Sequence, residues 1–170
     1  MIIERWGDVD YSGIVKKYSN DQLVRHFLRT YMRILHCCFH KVSEKHGSLK
    51  DTFIFCVDLD GAPMMKLLGT DVLKISKLLT KSTADFFPEV MFKTYFINAP
   101  YMFTLCWKIA KVWLDEKVAN KVAILGKDYR KTLYKYVEED KMPKVCGGTC
   151  PAGLLEGHPD RPWKDYLNEC

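Results

Sequence analysis

The chain has 170 residues, 48% hydrophobic and 28% charged. That is enough apolar surface for one folded domain, and it excludes a disordered, collagen-like or low-complexity chain. Twenty-six basic against 21 acidic residues leave a formal charge of +5, a mild excess that suits an anionic membrane surface or anionic ligand. The basic residues are spread over all segments without aromatic interleaving, so no nucleic-acid partner is expected.

In chain order, Ile2-Ile3-Glu4 reads as a short strand, and a chain opening directly on a strand suggests a missing preceding segment. Asn20-Asp21-Gln22 reads as a cap. Leu23, Val24, Phe27, Leu28, Tyr31, Met32, Leu35, Cys38, Phe39 and Val42 then recur at helical spacing, predicting a long amphipathic helix that ends before Gly47. Thr52 to Val57 is an apolar run stopped by Asp58-Leu59-Asp60-Gly61, as expected of a strand buried on both faces. A helix follows from Asp71 to about Asp85, a strand from Lys93 to Ile97, a helix from Thr104 to Lys117 and a strand from Lys121 to Leu125. A last helix is expected from Asp128 to Val137, and a turn or edge segment from Met142-Pro143 to Gly147-Gly148. Strands alternating with helices predict an α/β fold with a mostly parallel sheet. The whole of 1–170 reads as a single domain.

The longest uncharged stretch, Thr94 to Trp107, is 14 residues, short of the roughly 18–20 apolar residues of a membrane span. The N-terminus lacks a basic region followed by an apolar run, so no signal peptide is expected. Seven cysteines, most of them inside apolar segments, suit buried thiols in a reduced, cytoplasmic protein.

A buried strand ending in Asp58-Leu59-Asp60-Gly61 also begins Mg²⁺-dependent phosphatases of the haloacid-dehalogenase type. There one Asp attacks phosphorus and the other serves as acid and base. The later strands end in Asn98-Ala99-Pro100 and Gly126-Lys127-Asp128, without the acidic pair that would hold the metal. Asp58 is therefore expected to cap a strand and start a turn. His36 and His40 share a helical face, but Cys37 stands where a zinc peptidase needs Glu. Cys146-Gly-Gly-Thr-Cys150 has the wrong spacing for a zinc knuckle. No metal, cofactor or catalytic site is expected.

The Thr104–Asp115 stretch is more informative. Thr104, Lys108, Lys111 and Asp115 fall on one narrow stripe of a helix, and the rest is apolar. One reading is a deeply buried helix. The other is a helix with two apolar neighbours, the protein interior and a lipid or membrane, since Trp beside Lys suits a bilayer interface.

Taken together, these segments resemble the CRAL-TRIO lipid-binding family of phosphatidylinositol/phosphatidylcholine transfer proteins. The block Phe87-Pro88-Glu89, a strand, then Asn98-Ala99-Pro100 is similar to the family's aromatic-Pro-Glu-Arg, strand, Asn-Ala-Pro. Leu114-Asp115 resembles the end of its gate helix, and Lys121-Val-Ala-Ile-Leu-Gly126 its next strand. Asp58-Leu59-Asp60-Gly61 stands at its Asp-x-x-Gly, the run from Leu133 to Gly148 at its closing helix, Leu-Pro and Gly-Gly, and Pro162-Trp163-Lys164 at a C-terminal Pro-Trp-Arg.

The resemblance implies a sheet that floors an apolar lipid pocket, covered by a mobile gate helix. It implies non-enzymatic binding and transfer of a lipid, in a cytoplasmic protein peripheral to membranes. Leu105, Trp107, Ile109, Val112, Trp113 and Leu114 are the expected gate and membrane contacts, and a lipid-sized cavity is expected between the sheet and the Thr104–Asp115 helix. Glu89 and Lys121 match the headgroup signature. Phe53 and Phe55 stand where phosphatidylinositol and phosphatidylcholine binders carry hydroxyl residues, and Phe cannot hydrogen-bond a headgroup. That leaves room for a more apolar ligand, so the expected lipid is a phospholipid or another hydrophobic molecule. The family's N-terminal helical lobe is absent from the chain, leaving room for a protein partner. The alternative is a membrane-tethering or protein-interaction module of a larger protein.

Overall fold

The computed structural model describes residues 1–150; of Ile109, Trp113 and Val145 only the backbone is described. Pro162-Trp163-Lys164 lies outside the described residues.

Four strands form one sheet: β1 (Ile2–Arg5), β2 (Phe53–Asp58), β3 (Met91–Ile97) and β4 (Val122–Ile124). They lie side by side in sequence order, every pair parallel. This is the α/β fold with a parallel sheet that the alternation of elements predicts. The register aligns Ile2 with Phe55, Val57 with Phe96, and Phe96 with Ile124. Because side chains alternate along a strand, Phe53, Phe55, Val57, Phe96 and Ile124 share one face.

Helices cover that face. α1 (Tyr11–Lys17) and α2 (Asn20–Arg33) follow β1. The chain continues through a π-helical stretch, Ile34–Phe39, into α3 (His40–His46). The long helix expected here is therefore interrupted. Its cap is also not the expected one: Ser19 accepts from the Gln22 amide at 3.3 Å, and the Gln22 side chain accepts from the Ser19 amide at 2.9 Å, a reciprocal capping box. Tyr31, with Phe27, Leu28 and Phe39, packs on Phe53 and Phe87. After β2 come α4 (Met64–Leu67) and α5 (Thr70–Phe86). After β3 comes α6 (Tyr101–Ala110), whose Phe103 joins Val57, Leu59 and Leu67 in a second buried cluster.

The expected Thr104–Lys117 helix is corrected in both bounds. α6 starts at Tyr101 and tightens into a 3₁₀ turn at Lys111–Trp113. Leu114 is extended, and Asp115 caps a separate short helix, α7 (Glu116–Ala119). Thr104, Lys108, Lys111 and Asp115 thus do not form one continuous helical stripe.

Two compact units are distinguished, Met1–Leu125 and Gly126–Cys170. In the second, the expected Asp128–Val137 helix is reduced to the single turn α8 (Arg130–Leu133). There the Tyr134 hydroxyl donates to the Gly147 carbonyl at 2.8 Å, and Pro143 bridges to Cys150. Gly147 has φ +81°, a left-handed conformation that favours glycine. Cys56 and Cys146 are buried, Cys106 and Cys150 half-buried, and Cys38 is exposed.

Candidate functional site

At the N-terminal edge of the sheet, Glu89 closes the turn between α5 and β3 with φ +61°. Its Oε2 accepts from Lys121 Nζ at 2.7 Å, across 32 residues of sequence. That hydrogen bond, and then the Lys121 charge, hold the Glu89 carboxyl below its usual range, with Lys117 adding to the effect. Glu89 is strongly exposed, whereas Lys121 is half-buried. Phe53 begins the neighbouring strand, its amide donating to the Val90 carbonyl at 3.0 Å. The headgroup residues expected from the sequence, Glu89, Lys121, Phe53 and Phe55, therefore gather at one end of the sheet.

Phe53 is buried at 5% exposure and Phe55 half-buried. The Phe53 ring meets Tyr31 at 5.8 Å, Phe39 at 6.3 Å and Phe55 at 6.4 Å, centroid to centroid. Tyr31 further contacts Phe27 at 4.9 Å and Phe87 at 5.2 Å. Burial, with the Glu4 carboxylate next in effect, pushes the Tyr31 phenol up to about 12.

At the C-terminal edge, Asp58 is almost fully buried. Its Oδ1 accepts from the Asp60 amide at 3.0 Å, the turn cap expected of it, and from Asn98 Nδ2 at 2.8 Å. Its Oδ2 faces Arg5 Nε at 3.7 Å. A carboxylate enclosed in this way is a structural tie between three strand ends and is poorly placed for attack on a phosphate.

Directly after Asn98 the chain enters α6. Phe103 and Trp107 lie on Phe96 of β3, with ring centroids 5.0 and 6.2 Å apart. Trp107 is thus turned to the sheet. Leu105 is exposed, Val112 is 72% exposed, and Leu114 is half-buried. The side chains of Ile109 and Trp113, also expected as membrane contacts, lie outside the described residues. Tyr101, Met102, Lys108 and Lys111 are exposed as well.

A CRAL/TRIO domain profile matches residues 2–148. The chain belongs to the CRAL/TRIO domain family. Among curated relatives, the Sec14 cytosolic factor of Schizosaccharomyces pombe is 27% identical over 164 residues, covering 96% of this chain and 57% of its own. The phosphatidylinositol/phosphatidylcholine transfer protein SFH4 of Arabidopsis thaliana is 28% identical over 171 residues, covering 96% of this chain and 27% of its own. This CRAL/TRIO chain therefore spans about half the length of some curated relatives and less of others. The crystal structure of Sfh5 superposes with a TM-score of 0.67 over 98% of this chain and 58% of that one, at 19% identity, which places the fold.

Elsewhere in the CRAL/TRIO domain, a cavity of about 400 Å³ lies between the Leu35–Ser43 stretch and Leu49, Lys50 and Asp51. It is not the space between the sheet and α6. His36 lines it, as does His40, whose imidazole stands 3.3 Å from Glu44. No group of three metal-type ligands occurs among the described residues. No described helix is long and apolar enough to cross a membrane. Sequence reasoning did not single out Tyr31, Arg5 or the role of Asn98. Their partners are 22 to 53 residues away in the chain, and local periodicity carries no trace of such pairings.

Proposed function

We propose that this CRAL/TRIO domain binds one lipid over the aromatic face of its sheet and exchanges it at a membrane, with no chemistry on the ligand. The observation that carries the reading is the apolar face of Phe53, Phe55, Val57 and Phe96, roofed by α2 and α6. Each methylene removed from water contributes about 0.8 kcal/mol, so two long acyl chains cannot be drawn through water at a useful rate. A carrier must offer an apolar surface while it is docked.

Docking draws support from the outward side of α6 and the turn after it. Tyr101, Met102, Leu105 and Val112 expose apolar area beside Lys108 and Lys111, the composition of a bilayer-interface helix. The protein is then cytoplasmic and peripheral, and α6 is its gate. The relatives named for phosphatidylinositol and phosphatidylcholine suggest a phospholipid. Phe53 and Phe55 argue for a smaller or less polar head, because neither ring can donate to or accept from one. Lys121 is held by Glu89 and is the cation for a phosphate if one is bound.

The test is competitive uptake of labelled phosphatidylinositol, phosphatidylcholine and a neutral lipid from liposomes, by wild type and by Phe53→Ser with Phe55→Thr. Wild type is expected to favour the neutral lipid, and the double variant to gain phosphatidylinositol by about ten- to a hundredfold. Strong wild-type selection of phosphatidylinositol, unaltered by the substitutions, would overturn the role of the two rings. Uptake without transfer between liposomes would make the domain a tethering or presenting module. No uptake of any lipid would refute the reading.

A further inference from the structure

We propose that Glu4 and Tyr31 form a hydroxyl-binding subsite on the aromatic face of the sheet, and that the lipid it takes is a neutral one with a free alcohol head. The inference rests on the reading of the domain as a lipid carrier and names the class of its ligand.

The register sets Ile2 beside Phe55 and Glu4 beside Val57, so Glu4 stands on the same face as the aromatic residues. Among the described strand residues of that face it is the one charged side chain. The other polar one, Thr94, already donates its hydroxyl to Met91 Sδ at 2.7 Å. Glu4 also marks a seam. Ile2, before it, packs with the cluster of Tyr31, Phe53 and Phe87; Trp6, after it, packs with that of Val57, Leu67 and Phe103. Phe55 touches both clusters.

The carboxylate is exposed, yet held. Trp6 Nε1 donates to its Oε2 at 3.0 Å, and the Trp6 ring stands edge-on to Phe96 with centroids 5.6 Å apart. Trp6 is thus a positioning residue. Oε1 has no hydrogen-bond partner among the described residues, and none of their lysines or arginines pairs with Glu4. Two phenols flank the carboxylate. The Tyr11 hydroxyl is already committed, donating to the Trp6 carbonyl at 3.2 Å. Tyr31 is only 8% exposed, and its hydroxyl has no hydrogen-bond partner among the described residues, although a buried phenol ordinarily finds one. Burial first, and the Glu4 charge second, push both phenols up, so both keep their protons at neutral pH.

The subsite therefore offers one charged acceptor, Glu4 Oε1, and one open donor, the Tyr31 hydroxyl. An alcohol carries one of each. Its O–H donates to the carboxylate while its oxygen accepts from the phenol. An ammonium head has donors only and leaves the phenol unpaired. A phosphodiester head has no donor for Glu4 and brings a second negative charge against it. The pattern of donors and acceptors selects the neutral alcohol from the three.

The experiment is competitive uptake from phosphatidylcholine vesicles by the whole chain, with labelled diacylglycerol, its acetylated counterpart and phosphatidylinositol as competitors. Wild type, Glu4→Gln and Tyr31→Phe are compared at equal folded fraction. Wild type is expected to prefer the free alcohol over its acetate by about ten- to a hundredfold. Glu4→Gln should shrink that preference to severalfold and raise phosphatidylinositol relative to diacylglycerol, because the repelling charge is gone. Tyr31→Phe should shrink the preference without raising phosphatidylinositol.

A merely structural role for Glu4 would lower uptake of all three lipids together and leave their ratios unchanged. That result, or a wild type indifferent to acetylation, would overturn the subsite and leave the carrier reading standing. No uptake of any lipid by wild type would refute the carrier reading, and the subsite with it. If Tyr31→Phe does not fold, Glu4→Gln, at an exposed position, decides alone.

Discussion

Truncating Phe53 tests whether the aromatic cluster organises the end of the sheet beside Glu89 and Lys121. Phe53 is 5% exposed and meets three rings, Tyr31, Phe39 and Phe55. Removing a buried Phe side chain costs about 3–5 kcal/mol, and the ring contacts account for roughly 0.5–1.5 kcal/mol each within that range. Phe55 is half-buried, so Phe55→Ala should cost about half as much, roughly 1.5–2.5 kcal/mol. The double variant should cost less than the sum of the singles by about 0.5–1.5 kcal/mol, because Phe53 and Phe55 touch. Urea titrations followed by far-UV circular dichroism give all three values, provided the slope stays constant. A total stability of about 5–15 kcal/mol leaves the single variants measurable. A cost below about 1 kcal/mol for Phe53→Ala, or a larger cost for Phe55→Ala, would refute the packing argument. The same numbers set a condition on the uptake experiment with Phe53→Ser: lipid selection must be compared at equal folded fraction.

The Tyr31 phenol titrates near 12 in the folded chain against 10.0 for the free group. Between those values the unfolded chain loses a proton that the folded chain keeps, so stability should fall as pH rises above 10, by at most about 1.4 kcal/mol per unit from this group. Tyr31→Phe should flatten that alkaline fall, as read from urea midpoints at pH 9 to 11. Asp58→Ala leaves the Asn98 amide without its acceptor and should cost about 2–4 kcal/mol; Asp58→Asn should cost less and leave lipid uptake intact, and Mg²⁺-dependent phosphatase activity abolished by it would contradict this. A Cβ at Gly7 would meet the Asp60 carbonyl, so Gly7→Ala should cost more than about 2 kcal/mol in thermal or urea denaturation, whereas Gly47→Ala, with open space around it, meets only the strain of its φ of +61°.

The sheet was legible because aromatic and β-branched residues concentrate in Phe53–Asp58 and Met91–Ile97 and polar turns bound them. Helix limits were less so. Nothing like Gly or Pro separates Trp113 from Glu116, and the break there is made by Asp115 acting as a cap. That Asp followed by Glu116 was a readable start signal. α1 was missed because it is only seven residues long and contains Gly13. The π-helical stretch has no sequence mark of its own. Glu89 and Lys121 were named from family resemblance, and their contact at 2.7 Å could not have come from spacing. The Asp-x-Asp-Gly context marks Asp58 as a cap. Its second partner, Asn98, lies 40 residues on, and only the parallel pairing of β2 and β3 brings the two ends together.

That parallel pairing also fixes a length. β3 has seven residues, roughly 20 Å at about 3.3 Å each. Glu89 and Lys121 stand at one end of it, and Asn98 with the start of α6 at the other. The strand is therefore a measuring stick between the Glu89–Lys121 pair and the start of α6. A molecule shorter than the stick, laid along the strand, can reach one end only. One that spans it reaches both, so for any molecule bound along β3 length counts separately from headgroup chemistry.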